Sequence, residues 1–165
     1  MLGISLIFVG IALVSNGVCR LCKVDAKSTA IINIITGLVI VVGNFILIGG
    51  AETMADYTNI VSGFLFGFTY LFIAANLLFK LDLRPFAWFS LFVAIYAIVM
   101  GTLAFVDGTW FYGALWVAWA ILWLEGFVEI VFNVKTLTKI FPYLSIVEGV
   151  LAAFIPAILI LLSIV

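Results

Sequence analysis

Histidine is absent from the 165-residue sequence, and most catalytic devices that a sequence can advertise are absent with it. No Ser-His or Cys-His pair can be assembled, and no glycine-rich phosphate loop or clustered Asp-Asp pair stands in its place. Neither an enzyme nor an ATP-driven pump is expected. Charge is also scarce: seven Lys and Arg against eight Asp and Glu give a formal net charge of −1, with no basic cluster to attract nucleic acid. The two cysteines, Cys19 and Cys22, form a CxxC in CRLC, but without histidine or a second pair they cannot complete a four-ligand zinc site. No metal and no cofactor are expected.

What remains is hydrocarbon. With 67% hydrophobic and 9% charged residues and a mean hydropathy of +1.44, a soluble domain of this size would have nowhere to hide its apolar side chains. The chain is expected to lie in a bilayer, with membrane lipid as its solvent. MLGISLIFVG has no positive region before its apolar run and no small-residue cleavage site behind it, so the first apolar segment reads as a retained helix.

A hydrocarbon core of ~30 Å needs about 20 apolar residues per helix. Spacing the polar breaks by that rule predicts a single all-α membrane domain with spans at 2–19, 29–48, 58–79, 86–105, 110–133 and 142–163. The connections RLCKVDAKS, GGAETMADY, KLDLRP, VDGT and VKTLTKIF are short, which forces successive helices to run antiparallel. Arg20, Lys23, Lys27, Lys80, Arg84, Lys135 and Lys139 all fall in the first, third and fifth connections, whereas Glu52, Asp56 and Asp107 mark the other two. The positive-inside rule then puts both termini outside. Three hairpins in series fit this layout, each turning at the basic end. Asn16, Asn76 and Asn133, near the inner end of each first helix, are weak signs of a repeat, because asparagine also caps helices.

Two features inside the spans carry chemistry. Trp116, Trp119 and Trp123 in LWVAWAILWLEGFVEI are spaced i, i+3 and i+7, within about 60° of arc on a helix, and Tyr112 joins the stripe. Spacing alone admits helix packing, which is the stronger reading, as well as a pore lining; an interfacial belt suits Trp88 and Trp110 better. The second feature is carboxylate. Glu125 and Glu148 lie within spans five and six, where an acid is costly and usually faces a bundle interior, while Glu129 is near enough to the inner interface to meet Lys135. They leave open a proton-coupled solute carrier using Glu125 and Glu148. Such carriers usually show interrupted helices, and the only mid-span proline is Pro156, which favours a passive pore.

The segments LWVAWAILWL, SGFLFGFTYLFIAANLLFKLDLRPFAWFSLFVAI, IFVGIALVSNGVCRLCKVDAKSTA and SIVEGVLAAFIP together resemble the AmiS/UreI family of urea and short-chain amide channels, across all six spans. The resemblance implies three two-helix hairpins around a narrow pore, six protomers in a ring in the bacterial inner membrane, and passage of urea, acetamide-like amides and water. It implies functional coupling to a cytoplasmic urease or amidase. The family's pore lining maps onto Leu2, Leu6, Val9 and Leu13, onto Phe66 and Tyr70, onto Trp116, Trp119, Leu122 and Trp123, and onto Glu148. Tyr112 stands where the acid-gated urea channel has tryptophan. That channel also has long, histidine-bearing outer loops, whereas GGAETMADY and VDGT are short and have none. Histidine is the side chain that ordinarily titrates between pH 5 and 7, so the channel is expected not to be acid-gated.

Overall fold

Polar punctuation sets the helix ends. The Asp25 side chain accepts from the Ser28 amide at 2.9 Å and starts the second helix. Thr53 and Asp56 form a reciprocal capping box at the start of the third, and Pro85 sits in the first turn of the fourth, where its missing N–H is harmless. Lys80 and Asn133 close the third and fifth helices in the left-handed conformation, with φ of 53° and 51°. The computed structural model describes residues 1–165 and consists of α1 (Leu2–Leu21), α2 (Ala26–Ile48), α3 (Met54–Phe79), α4 (Arg84–Val106), α5 (Trp110–Phe132) and α6 (Lys135–Leu161). Each of the six is long and apolar enough to cross a membrane, at 20 to 27 residues.

The sixth helix starts at Lys135, so most of VKTLTKIF is helical and not a connection. Hydropathy locates the apolar part of a helix, but the backbone ladder continues through polar turns. Pro142 therefore lies inside α6, and α1 presses on it so closely that a Cβ at Gly17 would come within 2.5 Å of the Pro142 carbonyl. Further along, Gly149–Phe154 is a π-helical segment set between Glu148 and Pro156. Pro156 cannot donate to the carbonyl four residues back, which is that of Ala152. A wide turn at that point accommodates the lost bond.

The helices form three close pairs, shifted by one helix from the hairpins expected in series. α2 packs on α3, α4 on α5, and α6 returns to α1, while α3 and α4 barely touch. Glycines explain the choice, because backbones approach closely only where no side chain intervenes. A Cβ at Gly67 would meet Val41 at 2.6 Å, one at Gly113 would meet the Phe105 ring at 2.6 Å, and one at Gly10 would meet the Gly149 carbonyl at 2.8 Å. The turns at the basic end have no comparable contacts. The three asparagines read as a weak repeat have three different jobs: Asn16 pairs reciprocally with Asn33 at 2.9 and 2.7 Å, Asn133 closes α5, and the Asn76 amide has no partner.

Candidate functional site: two chambers and a neck

α1, α3 and α5 turn one face each toward the middle of the bundle. On α1, Leu2, Leu6, Val9 and Leu13 recur at helical spacing and form one stripe. On α3 and α5 the corresponding stripes are aromatic. Between them lie two chambers. The larger, of about 820 Å³, is a vestibule at the acidic end, bordered by Leu2, Leu6, Tyr112 and Trp116 and by polar groups that include Asn44, Asn59 and Asp107. The smaller, of about 60 Å³, lies deeper and is bordered by Leu13, Tyr70, Leu122 and Trp123. Val9, Phe66 and Trp119 border both, so these three side chains form the neck between them.

The rings at the neck stand edge to face. Phe66 meets Trp119 at 4.9 Å and 85°, and Trp123 at 4.7 Å and 75°; Trp116 meets Trp119 at 5.0 Å and 80°. Edge-to-face contact is the favourable arrangement of aromatic quadrupoles, and it fixes the slot between the rings. Trp119 is held further by its indole N–H, which donates to the Ala152 carbonyl at 3.0 Å. That is the carbonyl released by Pro156. One tryptophan thus satisfies the orphaned acceptor of α6, and its N–H is not free for a solute.

Eleven of the twelve residues singled out from the sequence border a chamber: Leu2, Leu6, Val9, Leu13, Phe66, Tyr70, Tyr112, Trp116, Trp119, Leu122 and Trp123. Glu148 does not. It is 6% exposed, and its Oε2 has no hydrogen-bond partner. Glu125 is also buried off the chambers, with both carboxylate oxygens unpartnered. Glu129 pairs with Arg20 of α1, not with Lys135; the Arg20 guanidinium also lies 5.1 Å from the centre of the Phe141 ring, and Phe141 borders the inner chamber. Trp88 and Trp110 are 52% and 68% exposed near helix ends, apart from the stripe.

Sequence reasoning named Tyr70 but missed two other polar residues of the inner chamber. Thr69 and Ser90 border it with hydroxyls that donate to their own helices, to Leu65 at 2.7 Å and Phe86 at 3.0 Å, and the Tyr70 hydroxyl has no partner in the bundle. Thr69 is adjacent to Tyr70 and was within reach of a helical-face argument, whereas Ser90 on α4 enters only through the way the pairs are set around the centre. No group of three or more His, Cys, Asp or Glu is placed to hold a metal ion.

The model of the AmiS/UreI family transporters matches residues 1–164. The acid-activated urea channel of Helicobacter pylori is 39% identical over 188 aligned positions, covering 95% of each chain. Those positions outnumber the 165 residues here, so that relative has residues without a counterpart in this chain. A putative amidate substrates transporter protein of Mycolicibacterium smegmatis is 33% identical over 96% of this chain and 75% of its own. The crystal structure of the H. pylori urea channel superposes with a TM-score of 0.90 at 40% identity, covering 99% of this chain and 98% of that one, and the cryo-EM structure of its closed state gives the same score at 39%. The chain is a multi-pass membrane protein that belongs to the AmiS/UreI family of transporters.

Proposed function

We propose that this protein is a passive, constitutively open channel for urea and short aliphatic amides, and for water, in the bacterial inner membrane. The observation that carries the reading is the neck of Val9, Phe66 and Trp119 shared by the two chambers. Urea and acetamide are flat, neutral and polar at their edges, so their faces slide past indole and phenyl rings while their edges exchange hydrogen bonds with hydroxyls. An ion in the same slot would lose far more hydration than Tyr70, Thr69 and Ser90 return. Tight binding would defeat the purpose, since conduction requires release. Flux runs down a gradient kept up by a cytoplasmic urease or amidase, and the protein assembles as a homo-hexamer with both termini outside.

The test is solute efflux from proteoliposomes. Urea and acetamide should equilibrate far faster than through lipid alone, and should do so unchanged when a protonophore dissipates the proton gradient. Loss of flux under the protonophore would favour the carrier reading, in which the unpartnered Glu125 and Glu148 relay protons. No flux in either condition would sink both. Orientation is checked separately: an impermeant thiol reagent applied outside should miss Cys19 and Cys22 and react with Thr53→Cys.

A further inference from the structure

Two buried side chains of the vestibule each leave a polar atom outside the bundle's own hydrogen bonding. Asn44 on α2 and Ser5 on α1 are 3% and 7% exposed, and both border the larger chamber. The Asn44 amide donates from Nδ2 to the Ile40 carbonyl at 2.7 Å, which fixes its orientation. Its Oδ1 accepts no bond and is not sealed from the chamber. The Ser5 hydroxyl is in the same position, with no partner and not sealed off. Serines in helices usually bond back to the carbonyl one turn earlier, as Ser62 and Ser90 do here to Thr58 at 2.8 Å and Phe86 at 3.0 Å. Ser5 does not, and a buried polar atom left unmatched is unfavourable unless something else supplies the bond.

The register sets both groups at one level. Ser5 precedes the neck residue Val9 by four positions, about one helical turn. Asn44 lies against Gly63, which precedes Phe66 by three. A Cβ at Gly63 would fall 2.3 Å from both terminal atoms of Asn44, so the glycine makes the space in which the amide sits. A donor and an acceptor, on different helices, therefore face one chamber a turn above the aromatic slot.

We infer that Ser5 and Asn44 form an amide-reading station, the serine hydroxyl donating to the carbonyl oxygen of a solute and Asn44 Oδ1 accepting from its NH2 group. The station rests on the channel reading and adds the chemistry that recognises the solute before it is dehydrated. Its ligand class is a urea or primary carboxamide; an N,N-dialkylated amide offers no N–H to Asn44 and satisfies only the serine.

The experiment measures the permeability of proteoliposomes to acetamide, N,N-dimethylacetamide and water. Asn44→Leu, of similar shape but without the acceptor, should lower the ratio of acetamide to N,N-dimethylacetamide permeability about fivefold while water permeability holds. Ser5→Ala should lower both amides together relative to water by a similar factor, and Ser5→Thr, which keeps the hydroxyl, should restore them. Purely structural roles would move assembly or all three permeabilities alike and leave the ratios untouched. Wild-type ratios in the assembled variants overturn the station. Should Asn44→Leu fail to assemble, the Ser5→Ala and Ser5→Thr pair decides, since it changes only a few atoms. A wild-type protein that passes no amide would remove the channel reading itself, and the station with it.

Discussion

The vestibule and the inner chamber are built largely from the same three helices, yet one measures about 820 Å³ and the other about 60 Å³. Their linings differ as much as their sizes. The vestibule has Asn44, Asn59 and Asp107 among its walls and can hold a hydrated solute. The inner chamber offers only the hydroxyls of Thr69, Tyr70 and Ser90 and the indole of Trp123 for polar contact, and at roughly 10–15 Å³ per water it admits a few water molecules or one small solute. On the proposed channel reading, a solute exchanges its hydration shell for protein contacts between the two, where the rings of Phe66 and Trp119 meet. Selectivity should reside at the neck and below it, and changes above should matter less unless they touch the solute directly.

The harshest test fills the small chamber. Gly126 borders it, and a Cβ there would find nothing closer than Phe141 at 3.9 Å, so Gly126→Leu can be accommodated by the cavity itself. Urea flux into proteoliposomes should fall by at least about tenfold in an assembled protein, because the added side chain occupies the path. Wild-type flux would mean that solute takes another route. Next comes the neck. Trp119→Ala should relax selectivity between urea and larger amides, at a folding cost of about 3 to 5 kcal/mol. Oligomer yield must be measured beside flux. Trp119→Phe keeps a ring but leaves the Ala152 carbonyl orphaned, so it should cost about 1 to 3 kcal/mol with a smaller change in selectivity. If both assembled variants discriminate like the wild type, the stripe is helix packing.

Smaller effects are expected away from the path. Trp88→Ala, on an exposed ring outside both chambers, should leave selectivity unchanged and flux within about twofold. Lowering the pH from 7.5 to 5 should also change urea flux by less than about twofold, since the chain has no histidine. The basic-end carboxylates agree in sign. Hydrogen bonds from Arg84 hold Asp82 down to about 2, and bonds from Ser28 hold Asp25 below its ordinary value. A lowered value means that their ion pairing and capping are complete above the unfolded carboxylate range and fade only as the pH falls toward the folded value, below this window. A several-fold change in flux that Glu148→Gln abolished would relocate pH sensitivity to that buried acid.

Which residues share a helical face was legible because helical spacing is a local property, while the assignment of those faces to the lining came from the family resemblance. Leu2, Leu6, Val9 and Leu13 must share a face whatever surrounds them, and so must Trp116, Trp119 and Trp123. Glu148 was not legible in the same way. Its burial follows from the apolar run around it, but whether it faces a chamber depends on the rotation of α6, which the π-helical turn from Gly149 to Phe154 and the contacts of Gly10 and Gly17 fix against α1. The partner of Glu129 went wrong for a related reason, since proximity in sequence favoured Lys135 and the folded bundle brings Arg20 from α1.

The sequence by itself determined the solvent, the number of membrane-length helices, the separation of basic from acidic ends and the residues that share each helical face. These depend on the free energy of apolar transfer and on helical periodicity, both set within some twenty residues. Only the tertiary structure decided which helices pair, which side chains the two chambers share and which polar atoms remain unmatched. Those depend on close backbone approach at glycines such as Gly63 and Gly67 and on a bond between Trp119 and Ala152, 33 residues apart in the chain. Such contacts exist only once distant segments have met, and no local pattern encodes them.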